Sequence, residues 1–203
     1  MDSIDKLAEY FKEFPGIGER QAKRFVYFLM SRNSNYSDNL SKLIVDLKKE
    51  IAQCKECFRF FNLNKINNSL VCELCSDPRR DDSTLLVIEK DSDLESVRKS
   101  RLYNGMYFVL GGLVPIIEKN TPSQVRLNEL KEKIKGGTFT EIILAFSISP
   151  QGDHTDFYIR SQLKDICEPA NIKISSLGRG LSTGTEIEYS DNETIKNALK
   201  NRQ

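Results

Sequence analysis

LLVIEKDSDLESVRKS, residues 85–100, reads as a strand that turns into a helix. Leu85, Leu86, Val87 and Ile88 form a short unbroken apolar run, the pattern of a strand buried on both faces. Glu89 follows at the strand end, and Leu94 and Val97 then fall at helical spacing. The pattern recurs downstream. Residues 107–110 predict a second strand, and Val125, Leu127, Leu130 and Ile134 a second helix. Residues 141–146 predict a third strand, about 155–168 a helix, and 172–175 a fourth strand. Strands alternating with helices predict an α/β fold with a parallel sheet flanked by helices. A short helix is expected at 192–200, capped by Ser190 or Asp191.

The first 53 residues carry a helical period instead. Ile4, Leu7, Ala8 and Phe11 share one face, and so do Ala22, Phe25, Val26 and Leu29. A third helix is expected over about 37–53, with Leu40, Leu43, Ile44, Leu47 and Ile51 on one side, after a polar break at Asn33, Ser34 and Asn35. Between the first two helices lies Phe14-Pro15-Gly16-Ile17-Gly18, a helix-hairpin-helix arrangement. Gly16 and Gly18 allow a tight turn and close approach, so backbone N–H groups near the helix start form an anion site. Residues 20–36 hold Arg20, Lys23, Arg24 and Arg32 and no acid, which points to phosphate. The alternative is a plain helical hairpin with a glycine cap and a solvated basic face.

Cys54-Lys55-Glu56-Cys57 and Cys72-Glu73-Leu74-Cys75 are two CxxC knuckles with 14 residues between them. Two knuckles can supply four thiolates to one tetrahedral Zn²⁺, one ion per chain, in a closed and therefore structural site. A redox dithiol pair is the alternative. Cys167, in an expected helix, reads as a buried small apolar residue. Residues 76–83, SDPRRDDS, read as a solvated linker.

Thirty basic and 29 acidic residues leave a net charge of +1. That balance does not exclude a nucleic-acid binder, because the cations gather near the hairpin while Glu89, Asp91, Asp93 and Glu95 cluster downstream. The longest uncharged run, residues 102–117, is too short for a bilayer span and is broken by glycines and Pro115, so no membrane partner is expected. The first ten residues lack a secretory pattern; a cytoplasmic protein with reduced thiols is expected.

Taken in order, FPGIGERQAKR (14–24), the two knuckles, LLVIEKDSDLESVRKS (85–100), YNGMYFVLGG (103–112), EIILAFSISPQGDHT (141–155) and GRGLSTGTEIEYSD (178–191) resemble the bacterial RecR family of recombination mediators. The resemblance implies four parts: 1–53, a helix-hairpin-helix DNA-binding region; 54–76, a Cys₄ zinc finger; 77–176, a Toprim domain; and 177–203, a tail with the GRGL motif. It implies phosphate contacts from Gly16, Gly18, Arg20, Lys23 and Arg24 to single- and double-stranded DNA, without regard to sequence. It further implies a ring-shaped homotetramer that works with RecO and RecF in loading recombinase on gapped DNA during repair, near the bacterial nucleoid.

Catalytic Toprim enzymes hold Mg²⁺ with a strand-end Glu and an Asp-x-Asp pair. Glu89 matches the first, but Ser147 and Ser149 stand at the pair, and Gln151 replaces a common acid. No catalysis is therefore expected, although Glu89 and Asp153 are retained as a partner contact or weak ion site. A metal-dependent nuclease or primase-like enzyme is the competing reading, and a zinc-containing adaptor that binds only protein is a third. His154, the single histidine, is expected on a solvent-facing loop. Gly178, Arg179, Gly180 and Gly184 are expected to tie the tail to the sheet, with a phosphate cradle as the alternative.

Overall fold

A computed structural model describes residues 1–63, 69–116, 125–181, 184 and 186–201. It divides into two compact units, Met1–Ala52 and Gln53–Gln203.

In the first unit, α1 (Ser3–Lys12) is opened by Asp2, whose Oδ1 accepts from Asp5 N at 2.9 Å. Helix α2 (Glu19–Met30) packs against it through Ala8, Ala22 and Val26, all buried, with Ile4, Phe11 and Ile17 at the margin. The two alanines let the backbones approach closely. Helix α3 runs Ser34–Glu50, not 37–53. The expected polar break is in fact its cap: Asn33 Oδ1 accepts from Tyr36 N at 3.0 Å. At the other end Ile51 adopts extended backbone and starts β1 (Ile51–Gln53). None of the α3 side chains is fully buried, and its apolar set is open: Leu43, Ile44 and Leu47 are exposed.

The second unit holds β2 (Phe60–Asn62), β3 (Asp81–Ile88), α4 (Asp91–Ser100), β4 (Gly105–Val109), α5 (Leu127–Lys135), β5 (Glu141–Ala145), α6 (Pro150–Cys167), β6 (Lys173–Ser176) and α7 (Asn192–Lys200). Strands β3 to β6 form one parallel sheet in the order β4-β3-β5-β6. Leu85 sits between Met106 and Ile142, and Ile88 between Val109 and Ala145. Central position explains the unbroken apolar run, since Leu85, Leu86, Val87 and Ile88 are all buried. Helices α5 and α6 cover the sheet through Leu130, Ile134, Ile159 and Leu163. Cys167 joins the same core, as its apolar reading expects.

In this unit β3 and α6 begin well before the positions expected from the sequence. Strand β3 begins at Asp81, inside the expected linker, because Asp81 N donates to Asn104 O at 3.0 Å and Asp81 pairs with Gly105 of β4. Helix α6 begins at Pro150 rather than 155. Ser149 caps it by accepting from Gly152 N at 3.1 Å, and proline fits the first helical position. His154 is therefore a half-buried helix residue, not a loop residue. No helix among the described residues is long and apolar enough to cross a membrane.

Candidate metal centre and anion-binding hairpin

The four knuckle cysteines converge. Cys54, Cys57 and Cys72 are fully buried and Cys75 half-buried, with all four Sγ atoms within 4.8 Å of one another. Cys57 Sγ lies 3.6 Å from Cys72 Sγ. Tetrahedral Zn–S bonds of about 2.3 Å place sulfurs roughly 3.8 Å apart, so the cluster fits a zinc ion. Each knuckle is shaped by its backbone: Phe58 N donates to Cys54 O at 3.0 Å, and Cys75 N to Cys72 O at 3.1 Å. Phe58 takes a left-handed φ of 61° to complete the first turn. Hydrogen bonds from Cys57, then Cys72 and Cys75, pull the Cys54 thiol far below its ordinary range, while Cys54 pushes Cys75 up. One thiolate is thus stabilised by neighbouring thiols, whose protons a divalent cation would displace.

The first knuckle is joined to the sheet. Cys57 O accepts from Val109 N at 2.8 Å, and Phe60 N donates to Asp91 Oδ1 at 2.7 Å. Phe58 packs edge-on against Phe108, centroids 5.3 Å apart, and Lys133 Nζ reaches Glu56 Oε2 at 3.1 Å. Arg59 binds the pieces together. It is only 7% exposed, donates from Nη1 to Glu73 Oε1 at 3.0 Å, and places Nη2 3.8 Å from Glu95 Oε1. It links the first knuckle to the second and to α4.

At the hairpin, Gly16 has a φ of +77°, which favours glycine, and Ile17 N closes the turn onto Phe14 O at 3.0 Å. Gly18 caps α2 without a side chain. Arg20 and Arg24 are exposed and make no ion pair among the described residues. Lys23 differs: its Nζ lies 3.2 Å from Glu19 Oε1, and that hydrogen bond raises its pKa.

At the strand ends, Glu89 is half-buried after β3, and its carbonyl accepts from Gly111 N at 2.9 Å. Ser147 Oγ and Ser149 Oγ lie 3.1 Å apart. Asp153, in the first turn of α6, accepts a hydrogen bond from Arg179 Nη2, so a tail cation partners the retained acid. Among the described residues, the four cysteines are the one cluster of three or more metal-ligating side chains.

A family model described as the Toprim domain matches residues 83–177, and one described as RecR, C-terminal, matches residues 180–203. Recombination protein RecR of Phocaeicola vulgatus is 34% identical over 199 residues, covering 98% of this chain and 92% of that protein. The protein of the same name from Flavobacterium psychrophilum is 35% identical over 199 residues, covering 98% and 92%. That of Ureaplasma urealyticum serovar 10 is 32% identical over 200 residues, covering 98% and 95%. The chain belongs to the RecR family.

In this RecR-family chain the Toprim match covers the parallel sheet and the RecR C-terminal match the tail after it. Three side-chain roles escaped the sequence reading. Arg59 carried one usable signal, a lone cation two residues after a CxxC pair. Glu19 stands just before the acid-free stretch that singled out the hairpin cations, and it claims Lys23. Arg179 was expected to help tie the tail to the sheet, but nothing in the sequence paired it with Asp153.

Proposed function

We propose that this chain is a DNA-binding recombination mediator of the RecR type, acting in DNA repair without a catalytic step of its own. The observation that carries it is the near full-length match to proteins named Recombination protein RecR. The exposed Arg20 and Arg24 beside the Gly16–Gly18 turn supply its physical basis. Contacts of this kind hold phosphates and read no sequence, which suits both single- and double-stranded DNA. Each contact is weak, so a ring-shaped homotetramer would add several together. Lys23 contributes less than the two arginines, because Glu19 already neutralises it.

In this reading Cys54, Cys57, Cys72 and Cys75 hold one structural Zn²⁺, which supplies folding free energy rather than chemistry. The four-part division stands with it: hairpin region 1–53, zinc finger 54–76, Toprim domain 77–176 and tail 177–203. Glu89 and the acidic start of α4 offer a surface to RecO and RecF. Asp153 is drawn toward Arg179, which favours tail anchoring over ion binding there. A reducing, cytoplasmic setting near the nucleoid suits free thiols and a DNA substrate.

The test is DNA affinity against salt for Arg20→Ala and Arg24→Ala. Each lost phosphate contact lowers the slope of log affinity on log salt by about one. Unchanged slopes would remove the hairpin from the DNA site, and cleavage of DNA with Mg²⁺ that Glu89→Gln abolishes would revive the nuclease reading.

A further inference from the structure

Arg20, Arg24 and Phe28 follow one another at intervals of four along α2, each about 6 Å beyond the last and turned about 40° from it, and Arg32 follows two residues past the helix end, so the row winds gradually around the helix. The Arg32 guanidinium carbon sits 4.4 Å from the Phe28 ring centroid and 5.9 Å from that of Tyr36. Phe28 and Tyr36 meet edge to face, centroids 6.0 Å apart. Both rings are open, 41% and 42% exposed. No acidic residue occurs between Glu19 and Asp38.

We propose that this stripe is a path for single-stranded DNA, with phosphates on Arg20 and Arg24 and an unpaired base stacked on the Phe28–Arg32–Tyr36 cluster. The inference rests on the DNA-binding reading above and specifies its substrate. Aromatic rings stack on any base whose face is free, and Arg adds a cation–π contribution. In a duplex those faces are covered by neighbouring pairs, so the cluster discriminates for single strands. The acid-free run of three arginines complements the negative charge of a nucleic-acid backbone.

The experiment compares a labelled oligothymidylate, an abasic strand of the same length and a duplex. Phe28→Ala is expected to weaken the oligothymidylate about tenfold, leaving the abasic strand and duplex unchanged. Phe28→Leu, which keeps the apolar bulk, is expected to reproduce the loss, and Tyr36→Leu to give a smaller one. Equal loss on the abasic strand, no loss on oligothymidylate, or a changed solution mass for Phe28→Ala would each overturn the inference. If Arg24→Ala weakens all three probes while Phe28→Ala weakens none, the stacking path alone fails. If neither arginine matters, the hairpin reading falls and the path with it.

Discussion

The backbone N–H of Val109 donates to the carbonyl oxygen of Cys57 across 2.8 Å. Val109 ends β4, an edge strand, and Cys57 is a knuckle cysteine. An edge strand exposes unpaired backbone groups, and here a turn of the cysteine cluster occupies one of them. Removing the metal should therefore disturb the Toprim sheet as well as the knuckles. Chelation of zinc-loaded protein under reducing conditions is expected to speed hydrogen exchange at the Val109 and Phe60 amides. It should lower the thermal midpoint by about 5–10 °C, each kcal/mol being worth about 2–4 °C at this size. Exchange at Val109 that is indifferent to metal would show the two to be independent.

Arg59→Met should separate charge from bulk at the junction. Methionine keeps much of the buried stem but leaves Glu73 and Glu95 without their shared cation. Those carboxylates are 46% and 35% exposed on their side chains, so water recovers part of the loss. A destabilisation of about 1–3 kcal/mol is expected. Urea unfolding of Arg59→Met, Glu95→Gln and the double variant checks it; strictly additive effects would mean that Arg59 and Glu95 do not interact.

What was legible in the sequence was local. The run from Leu85 to Ile88 announced a central strand, because burial on both faces leaves no polar position. The CxxC pairs announced the sulfur cluster, because four soft ligands at that spacing have few other uses. Helix ends were partly misread: Asn33 and Ser149 look like loop residues until their side chains are seen accepting from the next turn. The Arg59–Glu95 and Arg179–Asp153 pairs were not legible. With 30 cations and 29 acids in the chain, nothing short of the fold selects which meet.

Gly152 is where the α6 cap leaves no room. A Cβ there would stand 1.9 Å from the Ser147 carbonyl oxygen, a backbone atom that cannot swing aside. Gly152→Ala should push the first turn of α6 off the Ser147–Ser149 turn and cost about 1–3 kcal/mol, the range for overpacking. It should also loosen the Asp153–Arg179 pair one residue on, exposing the tail to limited proteolysis. A variant as stable and as protease-resistant as the parent would show that the turn tolerates a shift.

Tyr103 gives the fold an alkaline limit. Its hydroxyl donates to Met106 O at 3.0 Å and lies 3.2 Å from Thr84 O, bridging β4 and β3. Burial pushes its pKa up from 10.0 to about 12. The folded chain thus holds the phenolic proton more tightly than the unfolded chain. Stability from this group is complete below pH 10 and declines as pH rises toward about 12. Partial solvation limits the loss to about 1–2 kcal/mol. Tyr103→Phe should cost about 1 kcal/mol at neutral pH through the missing hydrogen bond, then show a shallower alkaline decline than the parent. Tyr107, also raised by burial, gives both proteins a common residual slope, so the difference between the two unfolding curves is the quantity to measure. Parallel curves from pH 10 to 12 would mean that the Tyr103 proton is no more tightly held in the folded chain than in the unfolded one.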